Sequence, residues 1–162
     1  MKNLHVRWLV AVTLLAGILV PPVDAQKTTL PAEMLKARPD VSVAKQQLTM
    51  AGELGRRVLQ SFRAAQANNS IPIDESLVQP ARNTYALIRA AGESMQLRKQ
   101  YMKYPDPAFE LAHKRLIEAW NLSRTPVDKY SWSLERNNYL SISVRDLDRA
   151  LQIVELVLVL LP

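Results

Sequence analysis

Cysteine is absent from the 162 residues of this chain. The protein therefore has no disulfide and no thiolate nucleophile. It also cannot attach haem through a Cys-x-x-Cys-His motif, and it cannot carry a lipid on an N-terminal cysteine. Secreted eukaryotic domains of this size more often contain disulfides, so the absence of cysteine favours the periplasm of a bacterium for any chain that is exported.

Glycine and histidine are also scarce. The chain has four glycines, which excludes a glycine-rich phosphate loop, and no Gly-x-Ser-x-Gly nucleophile elbow occurs. The two histidines are His5 and His113. If the first 25 residues are removed, His113 alone remains, so a multi-histidine zinc site within one chain is excluded.

Basic residues outnumber acidic ones, but they are scattered. The formal net charge is +6, and loss of Lys2, Arg7 and Asp24 with a cleaved leader would leave +5. No run of Lys or Arg exceeds two residues, so the sequence does not indicate nucleic-acid binding. The surplus predicts at most a weak attraction to an anionic membrane surface, and the simpler interpretation is that these charges solvate helix faces.

The N-terminus has the three-part layout of a secretory signal peptide. Lys2 and Arg7 provide the positive start, and residues 8–20 form an uncharged, apolar run. Pro21-Pro22 follows, and Val23-Asp24-Ala25 is a small-x-small pattern typical of a cleavage site. We therefore predict a signal peptide at residues 1–25, cleavage before Gln26, and a periplasmic or secreted protein.

An uncleaved membrane anchor is the alternative interpretation of this segment. A spanning helix needs about 20 predominantly apolar residues, and residues 8–20 are shorter than that. If the leader is retained, we expect a membrane-tethered bundle that acts as a small subunit of a membrane complex.

Hydrophobic periodicity beyond the leader predicts an all-α protein. Residues 26–40 contain two prolines and show no sustained period, which predicts an extended segment before a bundle domain over residues 41–162. Within that domain apolar residues recur at steps of three and four, whereas no period-2 pattern occurs. The predicted helices cover residues 41–67, 77 or 80 to 102, 108–122 and 140–161, with a short helix or ordered loop at 127–134. Four long amphipathic segments with short breaks favour an antiparallel up-down-up-down four-helix bundle.

Local signals suggest how these helices begin. Asp40 and Asp106 are predicted N-caps of the first and third helices, and Pro80 marks a start or a bend in the second. We also expect Thr125 to cap a short helix and Ser143 to cap the fourth, with Asp146 as an acid in its first turn.

Two patches of small residues predict a tight helix crossing. Gly52 and Gly55 follow Ala51 in the first helix, and Ala90-Ala91-Gly92 lies in the second. Each glycine costs roughly 1 kcal/mol in an exposed helix interior relative to alanine. We therefore expect compensation from close approach, with the two patches facing one another.

One fragment has the spacing of a metal-binding motif. Glu110 and His113 are three residues apart and share a helix face, as in the Glu-x-x-His motifs of di-iron bundles. Those bundles use two copies of the motif, and no second copy occurs here. We therefore predict no metal site and no cofactor, and a metal-dependent enzyme is the least favoured interpretation.

The segment 130–139 combines aromatic side chains with arginine and asparagine, the composition typical of contact surfaces. The candidate binding residues are Tyr130, Trp132, Arg136, Asn137 and Tyr139. The competing interpretation is that Trp132 and Tyr139 close the end of the bundle core, with their polar groups reaching water.

The sequence as a whole predicts a non-catalytic protein of the bacterial envelope with a binding, assembly or accessory role. The expected partner is another envelope protein or a second copy of the chain, not a nucleic acid.

Overall fold

Four long helices account for most of the molecule. The computed structural model describes residues 30–104, 106–128 and 131–162, and no strand occurs among them. The helices are α1 (Val41–Ala67), α2 (Glu75–Gln100), α3 (Pro107–Ser123) and α4 (Arg136–Leu160). Short 3-10 segments occur at Ala32–Leu35, Thr125–Val127 and Ser131–Ser133. The prediction of an all-α fold with four packed helices is confirmed, whereas the predicted signal peptide lies outside the described residues.

Two of the predicted N-caps are present. The Asp40 carboxylate accepts a hydrogen bond from the Ser42 amide at 2.8 Å, and that of Asp106 accepts one from the Ala108 amide at 3.1 Å. Each satisfies an amide of the first helical turn, which has no partner within the helix. Helices α1 and α3 therefore begin where local chemistry predicted.

Helix α2 begins earlier than expected. Asp74 caps it through the Ser76 amide at 2.9 Å, so the helix starts at Glu75 and Pro80 lies inside it. The Pro80 carbonyl also accepts a hydrogen bond from the Thr84 hydroxyl at 3.0 Å. The expected start at Leu77 or Pro80 was wrong because the Asp74 cap outweighs the proline as a start signal.

Helix α4 also begins earlier, at Arg136 rather than Leu140. Ser143 is buried in the middle of α4 and does not cap it. Asp146, expected in the first turn, instead accepts a hydrogen bond at 2.8 Å from the hydroxyl of Thr125. This bond joins the α3–α4 connection to the side of α4, which sequence spacing could not show.

The buried side chains form two clusters, one toward each end of the bundle. The cluster near the start of α1 includes Leu48, Met95 and Phe109, and the cluster near its end includes Phe62 and Tyr139. Near the start of α1, the Lys45 ammonium donates to a backbone oxygen of Pro162, just beyond α4, at 2.8 Å.

The glycines do not face one another as predicted. A Cβ placed on Gly55 would lie 2.5 Å from Leu151 Cδ2 and 3.1 Å from Thr84 Cγ2, so Gly55 lets α2 and α4 approach α1. The nearest groups to a Cβ on Gly92 belong instead to α3. The prediction was wrong because periodicity locates a buried face without identifying the helix that covers it.

The last turns of α4 are apolar all round, yet only part of this surface is covered. Val157 and Leu161 are buried, whereas Leu156 and Val159 are exposed. No helix in the described part of the chain combines the length and hydropathy needed to cross a bilayer.

Candidate functional site

Three of the five candidate binding residues line one groove. Trp132, Arg136 and Tyr139 contribute to a groove of about 340 Å³ between the start of α2 and the segment that leads into α4. Asn137 is exposed at the surface and does not line it, and Tyr130 lies outside the described residues. The other lining residues, which sequence reasoning missed, are Ile73, Asp74, Glu75, Val78 and Leu134.

Tyr139 belongs to the core rather than to the surface. Its side chain is 1% exposed, and its ring lies 6.0 Å from that of Phe62, measured between centroids. Its hydroxyl donates to the Pro126 carbonyl at 2.7 Å. Trp132 Nε1 donates to the same carbonyl at 3.2 Å. The expectation that these polar groups reach water was wrong, because a backbone carbonyl of the α3–α4 connection lies within reach of both.

Of the three candidate binding residues in the groove, Trp132 is the one that is exposed. Its side chain is 40% exposed, although its indole N–H is bonded. The guanidinium carbon of Arg82 lies 5.2 Å from the centroid of the Trp132 ring, in a cation–π arrangement. Arg82 also forms an ion pair with Glu75. The indole is therefore held from two sides while much of its surface faces solvent.

Arg136 is engaged within the bundle. Its guanidinium donates to the carbonyls of Ala65 at 2.9 Å and Ile71 at 2.7 Å. These carbonyls lie in the last turn of α1 and in the α1–α2 connection, and the last carbonyls of a helix have no partner within it. Arg136 thus ties the start of α4 to the end of α1, and only part of its side chain is accessible.

The charged wall of the groove is set by the start of α2. Hydrogen bonds from the Ser76 hydroxyl and amide lower the pKa of Asp74, so this carboxylate is ionised at neutral pH. Burial raises the pKa of Tyr139 to about 12. The phenol is therefore neutral near pH 7 and is not available as a base. The groove presents apolar side chains beside one acidic edge, which suits binding better than proton transfer.

Replacing Tyr139 with phenylalanine is expected to cost about 1 kcal/mol of stability, because the Pro126 carbonyl loses its stronger donor. The pKa of Tyr139 in the folded protein lies above the ordinary value of 10. Ionisation of the phenol therefore does not reduce the stability of the folded protein below about pH 10. The stabilisation is then lost as the pH rises from about 10 to about 12. Urea denaturation across this pH range measures the loss, and the phenylalanine variant should show a smaller one. If the free energy of unfolding fell equally steeply with pH in both proteins, the raised pKa of Tyr139 would be contradicted.

Glu110 and His113 share a face of α3 but lack further ligands nearby. The Glu110 carboxylate forms an ion pair with Lys99 at 2.7 Å. Burial lowers the pKa of His113; the Lys99 charge lowers it further, and Glu110 acts in the opposite direction. Among the residues that the structure describes, no three His, Cys, Asp or Glu side chains are grouped to hold a metal ion.

Comparison with known proteins finds no protein-family model, curated protein or solved structure that matches this chain.

Proposed function

We propose that this chain is an exported, non-catalytic protein of the bacterial envelope that binds a partner protein in the groove beside Trp132. The observation that carries the proposal is a tryptophan that is 40% exposed and yet held by a hydrogen bond and a stacked guanidinium. A side chain already fixed in place loses little conformational entropy on binding. Tryptophan is also among the residues that most often dominate binding energy at protein interfaces.

We also propose that the four helices run antiparallel, in an up-down-up-down order. Arg136 at the start of α4 bonds to Ala65 near the end of α1, and Lys45 near the start of α1 bonds to the chain end beyond α4. Lys99 at the end of α2 pairs with Glu110 at the start of α3. In such a bundle the groove lies at one end, where α4 begins, and the long helices serve as its scaffold.

The occupant that best fits the groove is a large apolar side chain presented by another envelope protein. Ile73, Val78 and Leu134 provide apolar lining, and the Asp74 carboxylate provides an acidic edge, whereas Glu75 is paired with Arg82. A partner segment with an apolar anchor beside a basic residue would complement both features. A second copy of the chain is the other source of such a segment, and the experiment below distinguishes them.

Photocrosslinking in the intact envelope tests the proposal. A photoreactive amino acid placed at Leu134 should give one dominant crosslinked product, and the same amino acid at Ile117 should not. Ile117 is a matched control because its side chain is 40% exposed, as Trp132 is, and it lies on α3 away from the groove.

The mass of the crosslinked product identifies the partner as another protein or as a second copy. Trp132→Ala in the crosslinking protein should reduce the product at least about tenfold, since loss of an anchoring tryptophan commonly costs 2 kcal/mol or more. Equal crosslinking from positions 134 and 117 would overturn the proposal. N-terminal sequencing of the same sample tests export, with Gln26 as the expected first residue.

A further inference from the structure

The turn between α2 and α3 exposes aromatic and basic side chains together. Tyr101 and Tyr104 are 72% and 83% exposed, and the Lys103 ammonium lies 5.7 Å from the centroid of the Tyr104 ring. Six of the exposed side chains at this end of α2 and α3 define what we call the hairpin-tip surface: Arg98, Tyr101, Lys103, Tyr104, Leu111 and Lys114.

The acidic side chains at the same end are already engaged within the chain. Glu33 and Glu110 form ion pairs with lysine or arginine side chains. Asp40 and Asp106 accept hydrogen bonds from the first turns of α1 and α3. By contrast, none of the ion pairs among residues 30–104, 106–128 and 131–162 involves Arg98, Lys103 or Lys114. Hydrogen bonds from Ser42 and, to a smaller extent, the charge of Arg98 lower the pKa of Asp40, so Asp40 offsets part of the Arg98 charge. Lys103 and Lys114 therefore present positive charge that the described part of the chain does not neutralise by ion pairing.

Tyrosine next to lysine and arginine is a combination suited to the headgroup region of a membrane. The tyrosine ring is apolar with a polar tip, and such rings are enriched at the level of lipid headgroups. Each nearby lysine or arginine adds attraction to an anionic leaflet, and Leu111 adds an exposed apolar side chain. An acidic protein would complement the cations, but it would not by itself require the exposed rings.

The position of the leader provides an independent reason to favour a membrane. The Arg38 amide donates to the Ser94 hydroxyl at 3.0 Å, so the segment before α1 packs against the later part of α2, toward the end that carries the hairpin-tip surface. Before cleavage, or if the leader is retained, the apolar run 8–20 would bring this end toward a bilayer.

We infer that the hairpin-tip surface docks on the anionic phospholipid surface of the envelope membrane. The bundle would then stand with its α2–α3 turn toward the lipid and its Trp132 groove, at the opposite end, toward the aqueous compartment. This inference concerns a different surface from the groove, so either can fail without the other.

Vesicle flotation tests the inference with chain purified from the envelope of an expressing bacterium, whichever N-terminus it carries there. The chain should bind vesicles of equal parts phosphatidylglycerol and phosphatidylcholine better than pure phosphatidylcholine vesicles. Replacing Arg98, Lys103 and Lys114 together with glutamine should reduce this preference at least about tenfold, since each cation near an anionic surface contributes about fivefold. The preference should also fall as salt is raised.

A matched variant separates the location of the charges from their number. Replacing Arg57, Arg63 and Arg149 with glutamine removes three exposed cations elsewhere on the bundle, of which Arg63 pairs with Asp148 and Arg149 with Glu118. The variant has the same change in net charge and should change the preference less than about twofold, whereas one cation at the membrane contributes about fivefold. If this variant loses as much binding as the hairpin-tip variant, net charge explains the binding and the inference is wrong. An unchanged preference in the hairpin-tip variant would overturn it as well.

A third variant distinguishes lipid from an acidic macromolecule. Replacing Tyr101 and Tyr104 with serine keeps the charges, and it should weaken vesicle binding without changing binding to soluble poly-glutamate. If binding to both is unchanged, the surface recognises negative charge alone and the inference of a lipid partner fails.

Because all the substituted side chains are exposed, circular dichroism should show unchanged helicity. If the triple variant nevertheless unfolds, the single substitution Lys103→Gln replaces it, with an expected loss of about fivefold.

Discussion

Substitution of Gly55 by valine is expected to destabilise the bundle by about 3 kcal/mol. A single Cβ at this position would already lie 2.5 Å from Leu151 Cδ2 and 3.1 Å from Thr84 Cγ2. Both neighbours are buried in the core, so relieving the contact moves packed side chains, and overpacking typically costs 1–3 kcal/mol. Valine adds two further methyl groups, which places the expected cost at the upper end of that range. Urea denaturation monitored by circular dichroism measures it.

Gly52→Ala is the matched control because Gly52 lies one turn earlier on the same helix. A Cβ there would meet only the guanidinium of Arg56, at 3.9 Å. We expect this variant to be more stable by up to about 1 kcal/mol, since alanine favours a helix over glycine. If both variants lost the same free energy of unfolding, the close approach at Gly55 would have no special role. Helix propensity would then also fail to explain the result at Gly52.

Arg136→Ala is expected to cost about 2 kcal/mol, because it removes the donors that bond to the carbonyls of Ala65 and Ile71. Hydrogen bonds from a charged group contribute about 1.5–3 kcal/mol. Asn137→Ala, at the adjacent exposed position, should leave the free energy of unfolding unchanged within about 0.5 kcal/mol. Thermal and urea unfolding of the two variants provide the comparison.

The same pair of variants separates the two roles that Arg136 could have. If Arg136→Ala lowered stability and Leu134 still crosslinked to its partner under conditions where the variant is folded, the side chain would be structural. Loss of the crosslink with unchanged stability would instead identify Arg136 as a contact residue, in conflict with the geometry.

Sequence reasoning worked best where the responsible contacts are local. Asp40 and Asp106 cap helices through amides only two residues away, and such a bond depends on little beyond the chain nearby. The stripe of apolar residues likewise predicted α1 over Val41–Ala67, since the helical period is a property of neighbouring residues. The failures at Leu140 and Ser143 arose because no cap bond marks the start of α4, and Glu135 provides none.

The sequence identified only some of the residues that line the candidate site. The aromatic and basic composition of segment 130–139 identified Trp132 and Arg136, but not that Ile73 and Val78 would complete the groove. Those residues lie about 60 positions earlier in the chain, and no local pattern connects them. Composition also could not distinguish Tyr139, which is buried, from Trp132, which is partly exposed. Trp132 lies in the 3-10 segment before α4 and Tyr139 lies in α4 itself, so the difference depends on how each segment packs against the rest of the bundle.

What can be read from the chain alone is its helical class, its polar caps and its lack of thiol chemistry. These follow from residue types and their spacing over a few positions. Which faces meet was settled by packing: Gly55 lies against Leu151, Arg136 bonds across to Ala65, and the two groove walls come from opposite halves of the chain. A helix presents several faces of similar composition, so the partner of each face depends on how all four helices fill space together.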